Sequence, residues 1–443
     1  MNNALLSFFK SSVVASLIAA ALLTPSLGLA EGGTTRFSLS ELHFVHDLPP
    51  PVQEDELAFT LEHERRFELI EKEDTRLGFE FHPYLYGTSV EGNRQRQVLL
   101  DPRSAYLELS FSQNWFRAGF MTFKWEGTDG LNPMEIATMK DWSDPLNSQT
   151  RASGAVAYGR SGENYDLEVA YIPWQTRSLL PGEKSAWLPR QATFPLRTDE
   201  FELLLPQEVN YRYGEHQSLN DPRKHNATGR FQLRTSFGDM AVGYYEGLAD
   251  TPAVVPTLNV VPVQVNPKQI FSLLNPVEVL PYDYRVRTVS GLYSKPLGPW
   301  ILRLAARYDS PIGDDENIPS WSQNTVAGFE RSFDLGPNTI TAILQAAWVR
   351  VPESTSLLSV RDVFNRTILL GLRYPVGENW VFVYSAMAST RDASYFTRLD
   401  GSYRLNDNWK LNGTLEAIDG PSESLLGVFG RNDRATIGIS AVY

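Results

Sequence analysis

In Trp300-Ile-Leu-Arg-Leu-Ala-Ala-Arg-Tyr308 nearly every second residue is large and apolar. Trp300, Leu302, Leu304, Ala306 and Tyr308 share one face, while Arg303, Ala305 and Arg307 share the other. Strand side chains point alternately to opposite sides, so a period of two describes a strand with one greasy and one ionised face. Arg230–Phe237 repeats the pattern, with Phe231, Leu233 and Phe237 opposite Arg230, Gln232 and Arg234. The rhythm recurs at Leu77–Tyr86, Ala105–Ser112, Tyr165–Ile172, Arg366–Tyr374, Trp380–Ala388, Tyr395–Leu405, Trp409–Ile418 and Ala435–Tyr443. A half-buried strand of a sandwich alternates too, so the period alone leaves the architecture open.

The connections narrow it. Short polar turns, among them Gly238-Asp239, Leu297-Gly-Pro299, Gly377-Glu-Asn379 and Asn406-Asp-Asn408, supply the residues that tight hairpins need. Between them lie long loops at Gly127–Thr150, Thr176–Thr228, Leu248–Pro281, Ser310–Ser320 and Pro352–Asn365. Short turns at one rim and long loops at the other are the asymmetry of a transmembrane antiparallel up-and-down β-barrel. Trp115, Trp300, Trp380 and Trp409 each follow a tight turn, and Trp125, Trp174 and Trp348 lie near the far ends of strands. Indole favours the headgroup boundary, so these positions predict two aromatic girdles. The chain ends on Tyr443, with Ile437, Ile439 and Ala441 on the same face, which resembles the assembly signal of bacterial outer-membrane barrels.

Composition agrees. The 443 residues carry no cysteine, which removes disulfides, thiol nucleophiles and cysteine metal sites. A net charge of −12 argues against a nucleic-acid partner, whose phosphates call for Lys and Arg. Residues 1–30 hold Lys10 as their single charge, then the apolar run Val13–Leu23 and small residues at Gly28 and Ala30, the layout of a secretory signal. Downstream of it nothing approaches a membrane-spanning helix, so a membrane location requires strands. The expected organisation is a signal at 1–30, an N-terminal segment at 31–75 and a barrel at 76–443.

Both barrel ends belong at the short-turn rim, so the strand number must be even. Sixteen strands result if the barrel opens near Thr75, and eighteen if Phe59–Ile70 and a strand near Phe37–Val45 join. The charge-rich stretch Glu54–Asp74 reads alternatively as a periplasmic or lumenal helix. As a strand it would put His63 and Arg65 on the lipid face, where a cation costs roughly 2–4 kcal/mol at the bilayer midplane.

If the apolar face meets lipid, the other face lines the lumen. Early strands then offer Glu80, His82, Glu108, Asp166 and Glu168. Later ones offer Arg230, Arg234, Arg285, Arg287, Arg303, Arg307, Arg373, Arg398, Arg404 and Lys410, with Asp400 and Glu416 among them. Acidic residues would thus face basic ones across a pore, a field that selects polar and especially anionic solutes. The competing reading is a filler role, in which these charges pair with adjacent strands.

Trp125-Glu-Gly-Thr-Asp-Gly-Leu-Asn-Pro133, followed by Lys140-Asp-Trp-Ser-Asp-Pro-Leu146, resembles a motif of a large family of Gram-negative outer-membrane barrels, known by a domain-of-unknown-function label and related to alginate-export-type, porin-like barrels. Leu180-Pro-Gly-Glu-Lys-Ser-Ala-Trp-Leu-Pro189 is similar to that family's next large loop, while Met134-Glu135 departs from its pattern. The resemblance implies an outer-membrane channel or export barrel and names no solute. Within this loop Asp129, Asn132, Pro133, Asp141 and Asp144 are the candidate constriction residues, with a brace for the wall as the alternative role.

The six histidines form no metal-binding spacing, and no nucleophile elbow, phosphate loop or dinucleotide fingerprint occurs. The sequence therefore predicts no catalytic residues, metal or cofactor. Expected partners are outer-membrane lipid and lipopolysaccharide and the barrel-assembly machinery, with no nucleic acid. Three functions stay open: a channel for small polar or anionic solutes; an export barrel for an acidic polysaccharide or lipid-like substrate, served by a periplasmic partner; and a surface adhesin or receptor over a plugged lumen.

Overall fold

The computed structural model describes residues 33–190, 201–204, 206, 209–218, 221–257, 259–265, 267–313, 318–352, 363–422 and 424–443. The expected secretory signal at 1–30 lies outside them. Eighteen antiparallel strands close into one barrel. They are β1 (Gly33–Phe44), β2 (Asp55–Lys72), β3 (Thr75–Thr88), β4 (Val98–Phe111), β5 (Asn114–Met121), β6 (Ser153–Ser161), β7 (Tyr165–Trp174), β8 (Lys224–Thr235) and β9 (Gly238–Leu248). The second half is β10 (Arg285–Leu297), β11 (Trp300–Pro311), β12 (Ser322–Leu335), β13 (Asn338–Arg350), β14 (Thr367–Val376), β15 (Trp380–Ser389), β16 (Tyr395–Arg404), β17 (Trp409–Asp419) and β18 (Arg434–Val442).

Each strand pairs with its sequence neighbours, and β1 pairs with β18 to close the ring, Leu39 opposite Ile439. Closure leaves no row of unpaired backbone groups, which is what lets strands sit in hydrocarbon. Thr35 and Tyr443 exchange backbone hydrogen bonds of 2.8 and 2.9 Å, so both barrel ends meet at the short-turn rim. Of the two expected counts, the structure has the larger, and the charge-rich stretch is strand β2 rather than a helix.

That strand does turn His63 and Arg65 outward. His63 hydrogen-bonds Thr35 at 2.9 Å, level with the chain end, and the Arg65 guanidinium lies 4.4 Å over the Phe67 ring. Both therefore stand at the rim, where headgroups rather than acyl chains surround them and the midplane penalty does not apply.

The outer wall is apolar between the rims, with Leu107, Val242, Val289, Leu304, Leu344, Leu415 and Ile437 all exposed. Trp300, Trp380 and Trp409 face outward near the short turns and touch Phe333, Phe382 and Tyr443 respectively. Trp174 and Trp348 are exposed near the opposite rim. Two tryptophans depart from the expected girdles. Trp115 faces inward: an atom added at Gly159 would strike its ring, and Arg117 lies 4.3 Å over it. Since Trp115 and Arg117 share a strand face, the ion pair of Arg117 with Glu108 fixes the indole inside. Trp125 lies beyond the end of β5 and is buried in the lumen.

At the long-loop rim the connections fold into small sheets. Phe201–Leu204, Val260–Gln264 and Gln269–Leu273 form one; Tyr211–Tyr213, Gln217–Ser218, Ala253–Thr257 and Val277–Asp283 form another.

Candidate solute passage

The lumen is shaped by the connection between β5 and β6, which enters the barrel. Its residues Phe123, Trp125, Met134, Ile136 and Met139 are all at most 4% exposed. Phe123, Trp125, Met134 and Ile136 pack on inward residues of the wall, Ala155, Ala157, Ala170, Ile172, Ala241 and Val286. Burying such side chains stabilises the seat by roughly 1.5–3 kcal/mol each. Small wall residues make the room: a Cβ at Gly243 would come within 3.0 Å of Trp125 and 3.1 Å of Ile136.

Polar tethers then tie the loop around the barrel. Trp125 Nε1 donates to Glu168 on β7 at 3.2 Å, and Gly130 N donates to Gln345 on β13 at 3.0 Å. Asp129 meets Arg303 on β11 at 3.0 Å, and Asn147 accepts from Arg398 on β16 at 2.5 Å. Asp144 meets Arg434 on β18 at 2.9 Å. Asn132 and Pro133 make the turn within the loop, Asn132 Nδ2 donating to Trp125 O and its Oδ1 accepting from Met134 N, both at 3.0 Å. Asp141 accepts from Ser143 N at 2.9 Å and lies 3.5 Å from Arg94. All five proposed constriction residues thus belong to one inward loop.

The wall charges divide into three groups. Many are engaged by neighbours, through ion pairs or through hydrogen bonds to neutral groups. Glu108 pairs with Arg66 and Arg117 at 2.8 and 2.6 Å, and Asp166 pairs with Arg234. Glu80 accepts from Ser104 and Tyr106, both at 2.6 Å, and Arg230 donates to Gln232. Arg303 holds Glu330 at 2.9 Å as well as Asp129. Arg398 binds Asp400 and Glu416. The expected acidic half facing a basic half is therefore not observed, because acids of the early strands hold arginines of adjacent ones. Arg307 points inward but is only 4% exposed, clamped by Asp309, by Asp250 at 3.0 Å and by the Glu135 carbonyl at 3.1 Å. It fastens the loop rather than lining open space.

Second, Arg285 and Arg287 stand on the outer wall. Their strand-mates Val286, Thr288 and Ser290 are the buried, inward set, and Arg287 shares its face with exposed Val289. The charge-inside rule fails here because the apolar belt has ended at this rim. The third group stays open to the lumen: Arg373, Arg404 and Lys410 are exposed and form no ion pair among the described residues. Register places Arg404 opposite Lys410 and Lys410 opposite Ser440. Further from the short turns follow Asn412 with Gly438, then Thr414 with Thr436, then Glu416 with Arg434. This polar track leads into a cavity of about 350 Å³, bounded by Ser38, Thr60, Arg94, Asn147, Arg398 and Arg434. Sequence alternation gave no sign of which lumenal arginines are unpaired, since that depends on register between strands.

No protein-family model and no curated protein matches this chain. Solved structures do. Pseudomonas aeruginosa OccK2 (OpdF), determined in complex with glucuronate, aligns at a TM-score of 0.52 and 10% identity, covering 93% of this chain and 95% of that one. Pseudomonas aeruginosa OpdL aligns at 0.48 and 12%, covering 93% and 98%, and a mutant of the Rh. blastica porin at 0.41 and 8%, covering 93% and 99%. At such identity the likeness to OccK2 shows the fold alone: a closed antiparallel barrel matched along most of both chains.

Proposed function

We propose that the chain is an outer-membrane channel passing small anionic solutes, carboxylates foremost. The observation that carries the reading is the unneutralised trio Arg373, Arg404 and Lys410 at the short-turn mouth, continued by hydroxyl and amide side chains into the arginine-flanked cavity. An exposed guanidinium offers a carboxylate paired N–H donors, and unpaired cations along a water-filled wall raise the local anion concentration. The closed barrel with its apolar outer wall, its likeness to OccK2 and the expected secretory signal support placement in the outer membrane, with the long loops outside the cell.

Reversal potentials in planar bilayers under a potassium chloride gradient test this. The expected result is anion preference, reduced stepwise in Arg373→Gln, Arg404→Gln and Lys410→Gln, with glucuronate as a probe that blocks or competes with chloride current. Absence of conductance, or cation preference in the unaltered chain, would overturn it.

A further inference from the structure

Arg285 and Arg287 stand at the long-loop edge of an outer-wall face that crosses four neighbouring strands. Tyr171 on β7 lies opposite Ala227 on β8, Ala227 opposite Glu246 on β9, and Glu246 opposite Arg287 on β10. The next row toward the short turns is Val169, Gly229, Tyr244 and Val289, followed by Leu167, Phe231, Val242 and Gly291. The charges therefore begin where the apolar belt ends, at the long-loop rim. Arg287 Nε lies 3.0 Å from Glu246, and Arg285 lies 3.9 Å from the same carboxylate. Arg285 also donates to the carbonyls of Lys224 and His225 at 2.7 and 3.1 Å. Lys224 reaches over Trp174, 5.7 Å from its ring, as does Arg223 at 4.0 Å. Asp221 takes Arg223 and Lys224 at 3.1 and 3.7 Å. Four cations against two carboxylates leave this outward patch positive.

We infer that this patch binds the phosphate groups of the outer-leaflet glycolipid, with Arg285, Arg287 and Lys224 as its donors. Several facts on the wall favour lipid over a protein partner. The patch adjoins exposed valines that require acyl chains beside them, and Trp174 and Tyr244 give it the aromatic edge that headgroups favour. Glu246 and two carbonyls hold the guanidinium of Arg285 in place, so little freedom is lost when a phosphate docks. Guanidinium matches phosphate through paired charge-assisted hydrogen bonds. The inference rests on the membrane placement proposed above and concerns a surface remote from the passage.

Native mass spectrometry of the full chain in detergent, titrated with diphosphoryl lipid A, provides the test. The double variant Arg285→Gln/Arg287→Gln should lose about tenfold or more of its lipid occupancy, as expected for two cations removed from an anionic surface. Its anion selectivity should not change. Arg404→Gln should do the reverse, altering selectivity and leaving lipid occupancy alone, which separates failure of this site from failure of the channel. Equal occupancy in the double variant, or equal binding of a dephosphorylated lipid, would overturn the inference. Should the double variant not form a heat-modifiable barrel, Glu246→Gln decides instead: occupancy rises if the cations bind phosphate, and an unchanged or lower occupancy refutes it.

Discussion

Arg434 on the last strand and Asp144 in the inward loop, 290 residues earlier in sequence, meet at 2.9 Å with the arginine side chain only 2% exposed. The same guanidinium donates Nε to Glu416, whose other oxygen accepts from Arg398 at 3.0 Å. The loop is thereby latched to the seam region, where the first and last strands close the barrel. A buried pair of this kind is weak evidence for net stability, yet removing one partner strands the other charges.

Replacing Arg434 with Gln leaves Asp144 and Glu416 facing each other without their shared cation. The expected cost is roughly 3–5 kcal/mol. It should register as a lower temperature for loss of heat-modifiable mobility on gels, together with flickering single-channel current as the loop swings free. A variant with the native midpoint and quiet current would show that the latch does not hold the loop.

The latch also sets an acid limit. Burial opposes the Asp144 carboxylate, but Arg434, by charge and hydrogen bond, and Asn147 hold its carboxyl below the usual aspartate range. A depressed folded pKa stabilises above the unfolded value of about 3.9 and loses that stabilisation as pH falls through the lower folded value. Channel current should therefore stay quiet from neutral pH through pH 5 and flicker only in stronger acid. Flicker setting in between pH 6 and 5 would assign the latch to another group.

How far the sequence disclosed this arrangement differs by level. Strand identity followed from alternation, because lipid on one side and water on the other impose a period of two along most of every strand. Near the rims that contrast vanishes, and face assignment by charge fails with it: Arg285-Val-Arg-Thr turns its cations outward because Val286 is needed under the inward loop. The place of Trp115 after a turn points to the girdle, whereas Arg117 two residues on argues for the inner face that the structure shows. The inward loop had a readable trace as well. Ala155, Ala157, Ala170, Ile172 and Ala241 are apolar at lumenal positions, and something must cover them. Ion pairing had none, since partners such as Asp101 and Arg151, 50 residues apart in sequence and 2.7 Å from each other, meet only through register and loop path.

The seat of the loop can be probed without touching a charge. At Gly243 an added Cβ would lie 2.6 Å from Ser290 Oγ, with the Trp125 and Ile136 side chains at 3.0 and 3.1 Å. Gly243→Val should push the loop off the wall and destabilise the barrel by about 1–3 kcal/mol, as overpacking does. Conductance should shift together with thermal stability, because the displaced loop narrows the space opposite β9. Unchanged conductance would mean that the loop does not bound the passage.

The two-faced wall makes a prediction for five of the ten tryptophans. Trp300, Trp380 and Trp409 stand outward beside Phe333, Phe382 and Tyr443, within reach of acyl chains near the headgroups. Trp115 lies under the Arg117 guanidinium inside the barrel, and Trp125 is 4% exposed and bonded to Glu168. In vesicles containing lipids brominated near the headgroup, variants retaining one of the first three as the single tryptophan should be strongly quenched. Variants retaining Trp115 or Trp125 alone should be nearly unaffected, since a strand wall separates them from lipid. Quenching of Trp115 comparable to that of Trp300 would put the Arg117 face against the bilayer, and the lumenal assignment of Glu108 on the adjoining strand would fall with it.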